Sequence, residues 1–150
     1  MSDEIRKNAQ NQVEEQSAEK PQVNEAPNPA PITLSKISTG TLELATPIRA
    51  RSNDVTVLHY DFNKLTGWEY AEAMDSDPTA RNVFVVTKKQ AICLFAAAAA
   101  KVTPDVDAID IRERIGIADA QRAVQVATIF LSVSAQEAGK NTFGESQTQH

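Results

Sequence analysis

The sequence has few of the residues from which reactive and metal-binding sites are usually built. Its 150 residues include five glycines, one cysteine and two histidines. Glycine-rich phosphate loops, disulfide frameworks and zinc sites need more of these residues than the chain contains. Because His59 falls on a predicted strand and His150 is the last residue, a Ser-His-Asp triad is also difficult to assemble. We therefore predict a protein that is not an enzyme, has no metal site and needs no cofactor.

No apolar run in the sequence is long enough to predict a membrane-spanning helix. The longest run, residues 91–100, is half alanine, whereas a helix needs about 20 apolar residues to cross a bilayer. Residues 1–4 lack the basic start and the apolar stretch of a secretory signal. Cys93 has no second cysteine with which to form an internal disulfide. These features predict a protein of the reducing cytoplasm with no membrane contact.

Basic residues are also outnumbered by acidic ones. The chain has 15 Lys and Arg against 20 Asp and Glu, a formal net charge of −5. After residue 31 the only adjacent basic pair is Lys88 and Lys89, which is too little for a phosphate-binding surface. We therefore expect no nucleic-acid partner.

The composition changes near residue 31. Residues 1–31 contain no aromatic residue, include four prolines and are rich in Glu, Gln and Asn. Such a segment cannot bury enough apolar surface to offset the entropy of ordering, so it is predicted to be a disordered tail, either a partner-binding arm or an inert leader. The 41% hydrophobic content is sufficient for one modest core. We therefore predict a single α+β domain over residues 32–138 and a flexible end over residues 139–150.

The first part of the domain has the pattern of a small antiparallel sheet. Apolar residues alternate with polar ones in two segments, which predicts two strands. The side chains expected to share the inner faces are Leu42, Leu44, Ile48, Leu58, Tyr60 and Phe62. Residues 51–54 between the segments have the composition of a hairpin turn, and Pro47 suits an edge strand or a bend. A third short strand over residues 32–37 is weakly indicated.

The rest of the domain has the pattern of about four helices. Thr66 with Glu69, and Thr87 with Gln90, have the spacing of capping boxes, in which each side chain binds the backbone N–H of the other. The predicted helices cover residues 67–74, 88–101, 104–114 and 118–137. The second helix is apolar on all sides, which places it at the centre of the core and makes Cys93 a packing residue.

Three residues mark the ends of the last two predicted helices. Thr103, followed by a proline, is the expected N-cap of the third helix, and Gly116 is expected to end it. Gly139 is the expected C-cap of the fourth helix.

The predicted fourth helix carries more apolar surface than a small domain needs to bury. Val126, Ile129 and Val133 extend this surface beyond one narrow stripe, next to Phe130. Unused apolar surface in a chain without a reactive centre indicates protein binding. These four residues are therefore the candidate partner-binding residues. Trp68 is a fifth candidate, as an interface anchor or alternatively as a cover over the hairpin.

Several short segments of the sequence are similar to a known protein family. Residues 44–48 (LATPI) in the β-rich part are followed by residues 60–67 (YDFNKLTG), a short acidic helix and an alanine-rich helix. Residues 119–133 continue the pattern. In this order the segments resemble the tail assembly chaperones of long-tailed bacteriophages, a resemblance that covers about residues 32–134.

The resemblance implies a role without covalent chemistry. Chaperones of this family bind the helical, aggregation-prone tape measure protein in the host cytoplasm and keep it soluble. They are released as the tail tube polymerises and are absent from the mature virion. A ribosomal frameshift commonly produces a longer form that recruits tail tube protein. The implied partners are therefore the tape measure protein, the tail tube protein through an extended form, and a second copy of the chain.

Two other classes of protein remain open at this point. A structural subunit or adaptor of a phage particle would use similar apolar surfaces for permanent contacts, and purified particles would contain it. A small helical transcription regulator would need a helix with several basic and amide residues on one exposed face, which this sequence does not have.

Overall fold

The structure is a computed structural model that describes residues 31–82 and 85–145, the last four through their backbone alone. The described residues from Ile32 onward belong to one compact α+β unit, a two-stranded antiparallel sheet with helices packed against it. The predicted tail, residues 1–31, lies outside the described residues except for Pro31. The elements are α1 (Leu34–Ile37), β1 (Thr39–Arg49), β2 (Asp54–Asp61), a 3-10 turn (Phe62–Lys64), α2 (Gly67–Asp75), α3 (Lys88–Ala100), α4 (Ala108–Arg114) and α5 (Ile117–Glu145).

The two strands form the predicted hairpin. Pairing runs from Thr39 opposite Asp61 to Glu43 opposite Val57, and resumes where Ile48 lies opposite Val55. Residues 44–47, which include the proline, therefore bulge out of the ladder. The predicted inner residues are confirmed, since all are buried or half-buried: Leu42, Leu44, Ile48, Leu58, Tyr60 and Phe62.

The bulge of β1 is fixed by a carboxylate from α5. The backbone N–H groups of Ala45 and Thr46 donate to the two carboxylate oxygens of Asp119, at 2.9 and 3.1 Å. Asp119 is fully buried in the first turn of α5. Arg122 donates to the same carboxylate and, at 2.6 Å, to the backbone carbonyl of Glu43. One buried charge thus satisfies the N–H groups that the bulge leaves unpaired and attaches β1 to α5.

Both predicted capping boxes are present. The Thr66 hydroxyl accepts from the N–H of Glu69 at 3.2 Å, and the Glu69 carboxylate accepts from the N–H of Thr66 at 2.8 Å. At the start of α3, Thr87 and Gln90 make the same pair of bonds at 3.3 and 2.9 Å. Each box satisfies backbone donors that the first helical turn leaves free, so these two helix starts are fixed by local sequence.

Helix α3 forms the centre of the core, as predicted. It contacts α2, α4, α5 and β2. Its fully or almost fully buried residues are Ala91, Leu94, Phe95, Ala96, Ala98 and Ala99. Because most of these side chains are single methyl groups, neighbouring backbones approach closely and little volume is available for larger side chains.

The predicted third strand is wrong. Residues 34–37 form the short helix α1 instead, and among the described residues the sheet has two strands. The Ser38 hydroxyl donates to the Leu34 carbonyl at 2.6 Å and closes this turn. A local side-chain hydrogen bond thus outweighs the weak strand propensity of the segment.

The predicted start of the third helix is also wrong. Thr103 does not cap a helix, since its hydroxyl accepts from the His59 N–H at 3.0 Å and donates to the His59 carbonyl at 2.9 Å. Helix α4 begins at Ala108, where the Asp107 carboxylate accepts from the Asp110 N–H at 2.8 Å. The long-range bond to β2 therefore replaces the predicted cap and delays the helix.

Helix α5 is longer than predicted because Gly139 does not end it. The helix continues through this residue to Glu145, and none of the described glycines has a positive φ. A glycine within a helix costs only about 1 kcal/mol, so good helix formers on both sides are sufficient to continue it. The remainder of the predicted flexible end, residues 146–150, lies outside the described residues.

Loss of the Asp119 carboxylate should destabilise the fold. The change Asp119→Ala leaves two backbone N–H groups without their acceptor, and we expect it to cost about 3 kcal/mol. Urea denaturation measures the change in free energy of unfolding. The control is Asp54→Ala, since Asp54 is exposed and its loss should cost less than about 0.5 kcal/mol. Equal effects of the two changes would contradict the structural role of Asp119.

The same carboxylate should make stability depend on pH. Burial by itself raises the pKa of Asp119, but the Ala45 and Thr46 N–H groups and the Arg122 guanidinium outweigh burial and hold the pKa below its ordinary value. Its stabilisation is therefore complete above the unfolded-state pKa of about 3.9 and is lost as the pH falls through the lower folded-state pKa. The difference in stability between the wild type and Asp119→Ala should shrink below about pH 4. A difference that grows on acidification would contradict this assignment.

Larger side chains on the buried face of α3 should not be tolerated. Ala98 is fully buried, so we expect Ala98→Leu to cost about 1–3 kcal/mol through overpacking. Ala97 is half-buried and borders a surface cavity of about 430 Å³, so Ala97→Leu should cost less. Thermal and urea denaturation of the two variants test the order, and a reversed order would show that α3 packs differently.

Candidate binding groove

An open groove lies between the start of α2, the segment at residues 85–86 and the second half of α5. It has a volume of about 830 Å³. Leu94 of α3 and Phe62 after β2 lie at its base, and Tyr70 and Leu131 border it from α2 and α5. None of the described side chains that line it carries a charge. We call this feature the groove, and we treat it as the candidate binding site because of its size and apolar lining.

Small side chains leave room along both walls of the groove. On the α2 side, a Cβ placed on Gly67 would meet no atom within 4 Å. On the α5 side the lining includes Thr128, Ala135 and Ala138 at helical spacing, with Leu131 between them. These residues allow the backbone of a bound segment to approach closely, while their few hydroxyl groups add little polarity. The shape therefore suits the apolar face of another helix.

Aromatic packing supports one end of the groove. The rings of Phe62 and Phe130 are stacked, with centroids 4.3 Å apart and planes inclined by 10°. Tyr60 contacts Phe62 and also Phe95, at centroid distances of 5.5 and 5.4 Å. Burial raises the pKa of the Tyr60 hydroxyl. This cluster connects the hairpin, α3 and α5, so this end of the groove has a fixed shape.

The four partner-binding residues predicted on α5 do not form one surface. Phe130 is half-buried and lines the groove. Ile129 is 40% exposed. Val126 and Val133 are half-buried and lie with Ile129 on another side of the helix. The structure thus brings one of the four residues to the groove and places the other three away from it.

The N-terminal segment lies along that other side of α5. Arg122 donates to a backbone carbonyl of β1, and the Glu137 carboxylate accepts from the first N–H of α1 at 3.4 Å. Helical spacing puts Val126 and Val133 between these two polar contacts. The second half of α5 therefore has α1 and β1 on one side and the groove on the other.

Trp68 is not a cover over the hairpin. Its side chain is 74% exposed, and the indole Nε1–H donates to the Glu72 carboxylate at 3.0 Å. It directly follows Gly67, which lines the groove. The interface-anchor interpretation is the one that this exposure leaves, and it stays a prediction.

The groove was missed from the sequence because its α5 wall is weakly hydrophobic. Threonine, serine and alanine occupy most of the lining positions, and such residues give no strong apolar pattern. One signal was available, since the sequence contains no charged residue between Arg122 and Glu137. Almost four uncharged turns in a surface helix indicate contact with another surface on more than one side.

The residues with reactive side chains are not brought together. Cys93 is half-buried, and its thiol lies 3.8 Å from the Arg112 guanidinium. His59 is exposed and bound through its backbone to Thr103. In the described part of the chain no group of three or more His, Cys, Asp or Glu is placed to hold a metal ion. The helices of that part include none with the length and apolar character needed to span a membrane.

Comparison with known proteins gives no match to this fold or its groove. The chain matches no protein-family model, no curated protein and no solved structure. The resemblance to tail assembly chaperones therefore rests on the sequence segments described above, and the function has to be argued from the groove itself.

Proposed function

We propose that this chain is a tail assembly chaperone that holds an apolar helix of a tape measure protein in the groove and performs no covalent chemistry. The observation that carries the proposal is the uncharged, open groove of about 830 Å³ beside a surface helix. A soluble protein gains nothing in stability from leaving such a surface uncovered, and exposed apolar grooves of this kind mark binding sites for amphipathic helices.

The dimensions of α5 support the choice of a helix as the bound segment. With 29 residues α5 is roughly 43 Å long at about 1.5 Å per residue. The lining positions from Thr128 to Ala138 cover about three turns. A partner helix lying along them would bury one apolar face and leave its polar face in water.

Reversible binding also follows from the modest size of the groove. A contact of a few side chains yields moderate affinity once the cost of association is included. A chaperone needs such affinity, since it has to release its partner as the tail tube polymerises. On this proposal the protein acts in the host cytoplasm and is absent from the mature virion. An extended form could recruit tail tube protein, and a second copy of the chain could cover the same groove.

A charge placed in the groove should prevent helix binding. The probe is a fluorescein-labelled synthetic helix of about 18 residues, or five turns, with leucine and alanine on one face and glutamine elsewhere, termed the neutral peptide. Ala135 is exposed and lines the groove. We expect Ala135→Glu to weaken binding at least about tenfold, because the carboxylate would lose water without gaining a partner. Fluorescence anisotropy measures the affinity.

The matched control is Ala118→Glu, which adds the same charge to an exposed alanine in the first turn of α5, outside the groove lining. It should bind the neutral peptide like the wild type. Circular dichroism checks that both variants keep their helices. Equal affinities for the two variants, or no binding by the wild type, would contradict the groove as the binding site.

Mass spectrometry of purified phage particles separates a chaperone from a structural subunit. The proposal predicts that the chain is present in infected cells during assembly and absent from finished particles. A constant number of copies in each particle would contradict the chaperone role and favour the structural alternative.

A further inference from the structure

One face of α2 carries an exposed tryptophan between two carboxylates. Trp68, Glu72 and Asp75 are separated by four and three residues, so they lie on the same side of this helix. We call these three residues the Trp68 face. All three side chains are exposed, and the sequence contains no other tryptophan. A large aromatic side chain that is 74% exposed gains little from folding and is typical of a contact surface.

The indole is held in a defined position. Its Nε1–H donates to the Glu72 carboxylate at 3.0 Å, and the helix beneath it starts with the capping box of Thr66 and Glu69. The hydrogen bond fixes the edge of the ring and leaves its face free to contact another molecule. A fixed ring binds a partner with less loss of conformational entropy than a mobile one.

The Trp68 face carries negative charge that the described residues do not neutralise by ion pairs. Glu69, on the next side of α2, pairs with Lys101 at 2.6 Å. The hydrogen bond from Lys101 and that from the Thr66 N–H hold the pKa of Glu69 below its ordinary value. Glu72 and Asp75 form no ion pair with any described Lys or Arg, and α2 itself contains no basic residue.

The nearest candidate cation of the chain is otherwise placed. Arg112 borders the same small cavity as Glu72, but its guanidinium contacts the Cys93 thiol, 3.8 Å away. Among the described residues no lysine or arginine stacks on the indole, whose ring makes none of the aromatic contacts found in this structure. The ring face and the two carboxylates therefore remain available to a cation from outside.

We propose that the Trp68 face binds an arginine or lysine side chain that the partner helix carries at the border of its apolar face. The cation would stack on the indole ring and pair with the carboxylates of Glu72 and Asp75. Because Trp68 directly follows Gly67 of the groove lining, a helix in the groove could place a basic residue there. This inference rests on the proposed function and adds a requirement for basic residues in the partner.

Two labelled peptides test the proposal. The first is the neutral peptide, and the second replaces two of its glutamines, at the border of the apolar face, with arginine. We expect the arginine peptide to bind the wild type about three- to tenfold more tightly than the neutral peptide at low salt. The advantage should decrease at about 1 M salt, because salt screens exposed charges. Anisotropy of the fluorescein label measures both affinities.

Variants locate the effect on the Trp68 face. Trp68→Leu removes the ring. The double change Glu72→Gln with Asp75→Asn removes both charges, while the amide oxygen introduced by Glu72→Gln remains an acceptor for the indole N–H. Each variant should abolish the advantage of the arginine peptide and leave the affinity for the neutral peptide unchanged. The matched control is Glu113→Gln, which removes an exposed carboxylate from α4 and should preserve the advantage.

The outcomes separate this inference from the proposed function. Equal binding of the two peptides, or an advantage that persists in Trp68→Leu, overturns the role of the Trp68 face, while loss of neutral-peptide binding in Ala135→Glu still supports the groove. An advantage that depends on Trp68 but is insensitive to Ala135→Glu supports the Trp68 face and overturns the groove. Absence of binding by either peptide overturns both.

Discussion

The difference in length between α3 and α5 is the constraint on which the rest of the structure depends. Helix α3 has 13 residues and α5 has 29, about 20 and 43 Å respectively at about 1.5 Å per residue. The core is built around α3, whose alanines allow β2, α2, α4 and α5 to pack closely. A helix of this length cannot cover α5 from end to end. The groove occurs beside the second half of α5, where α2 and residues 85–86 form the opposite wall.

The polar contacts fix where α5 lies and so where the groove opens. Asp119 attaches the first turn of α5 to the bulge of β1, and Glu137 accepts from the first N–H of α1. These contacts lie about five turns apart on one side of the helix. With that side occupied by the N-terminal segment, the groove side is the one that remains for a partner.

Much of the fold could be predicted from the sequence because its signals are local. The capping boxes at Thr66 and Thr87 act within three residues, and the alternation in the hairpin is a direct consequence of strand geometry. The errors arose where a distant partner decides the outcome. Thr103 bonds to β2 instead of capping α4, and no short pattern in the sequence reveals that contact.

The candidate site was less predictable than the fold for a related reason. A hydrophobic stripe identifies strongly apolar residues such as Val126, Ile129 and Val133, but it does not say which side of α5 other elements occupy. The groove is made of small, uncharged residues whose importance depends on the space in front of them. Trp68 could be identified as an anchor from residue type alone, whereas its pairing with Glu72 required coordinates.

The most direct test of the central claim is to map the bound helix on the protein by nuclear magnetic resonance. In a chain labelled with nitrogen-15 and titrated with the neutral peptide, the account predicts that amide shifts concentrate in residues 128–138 of α5 and 65–70 at the start of α2. Amides on the α1 and β1 side should change little. Shifts confined to that other side, or spread evenly over the domain, would contradict the claim that the groove is where this protein receives its partner.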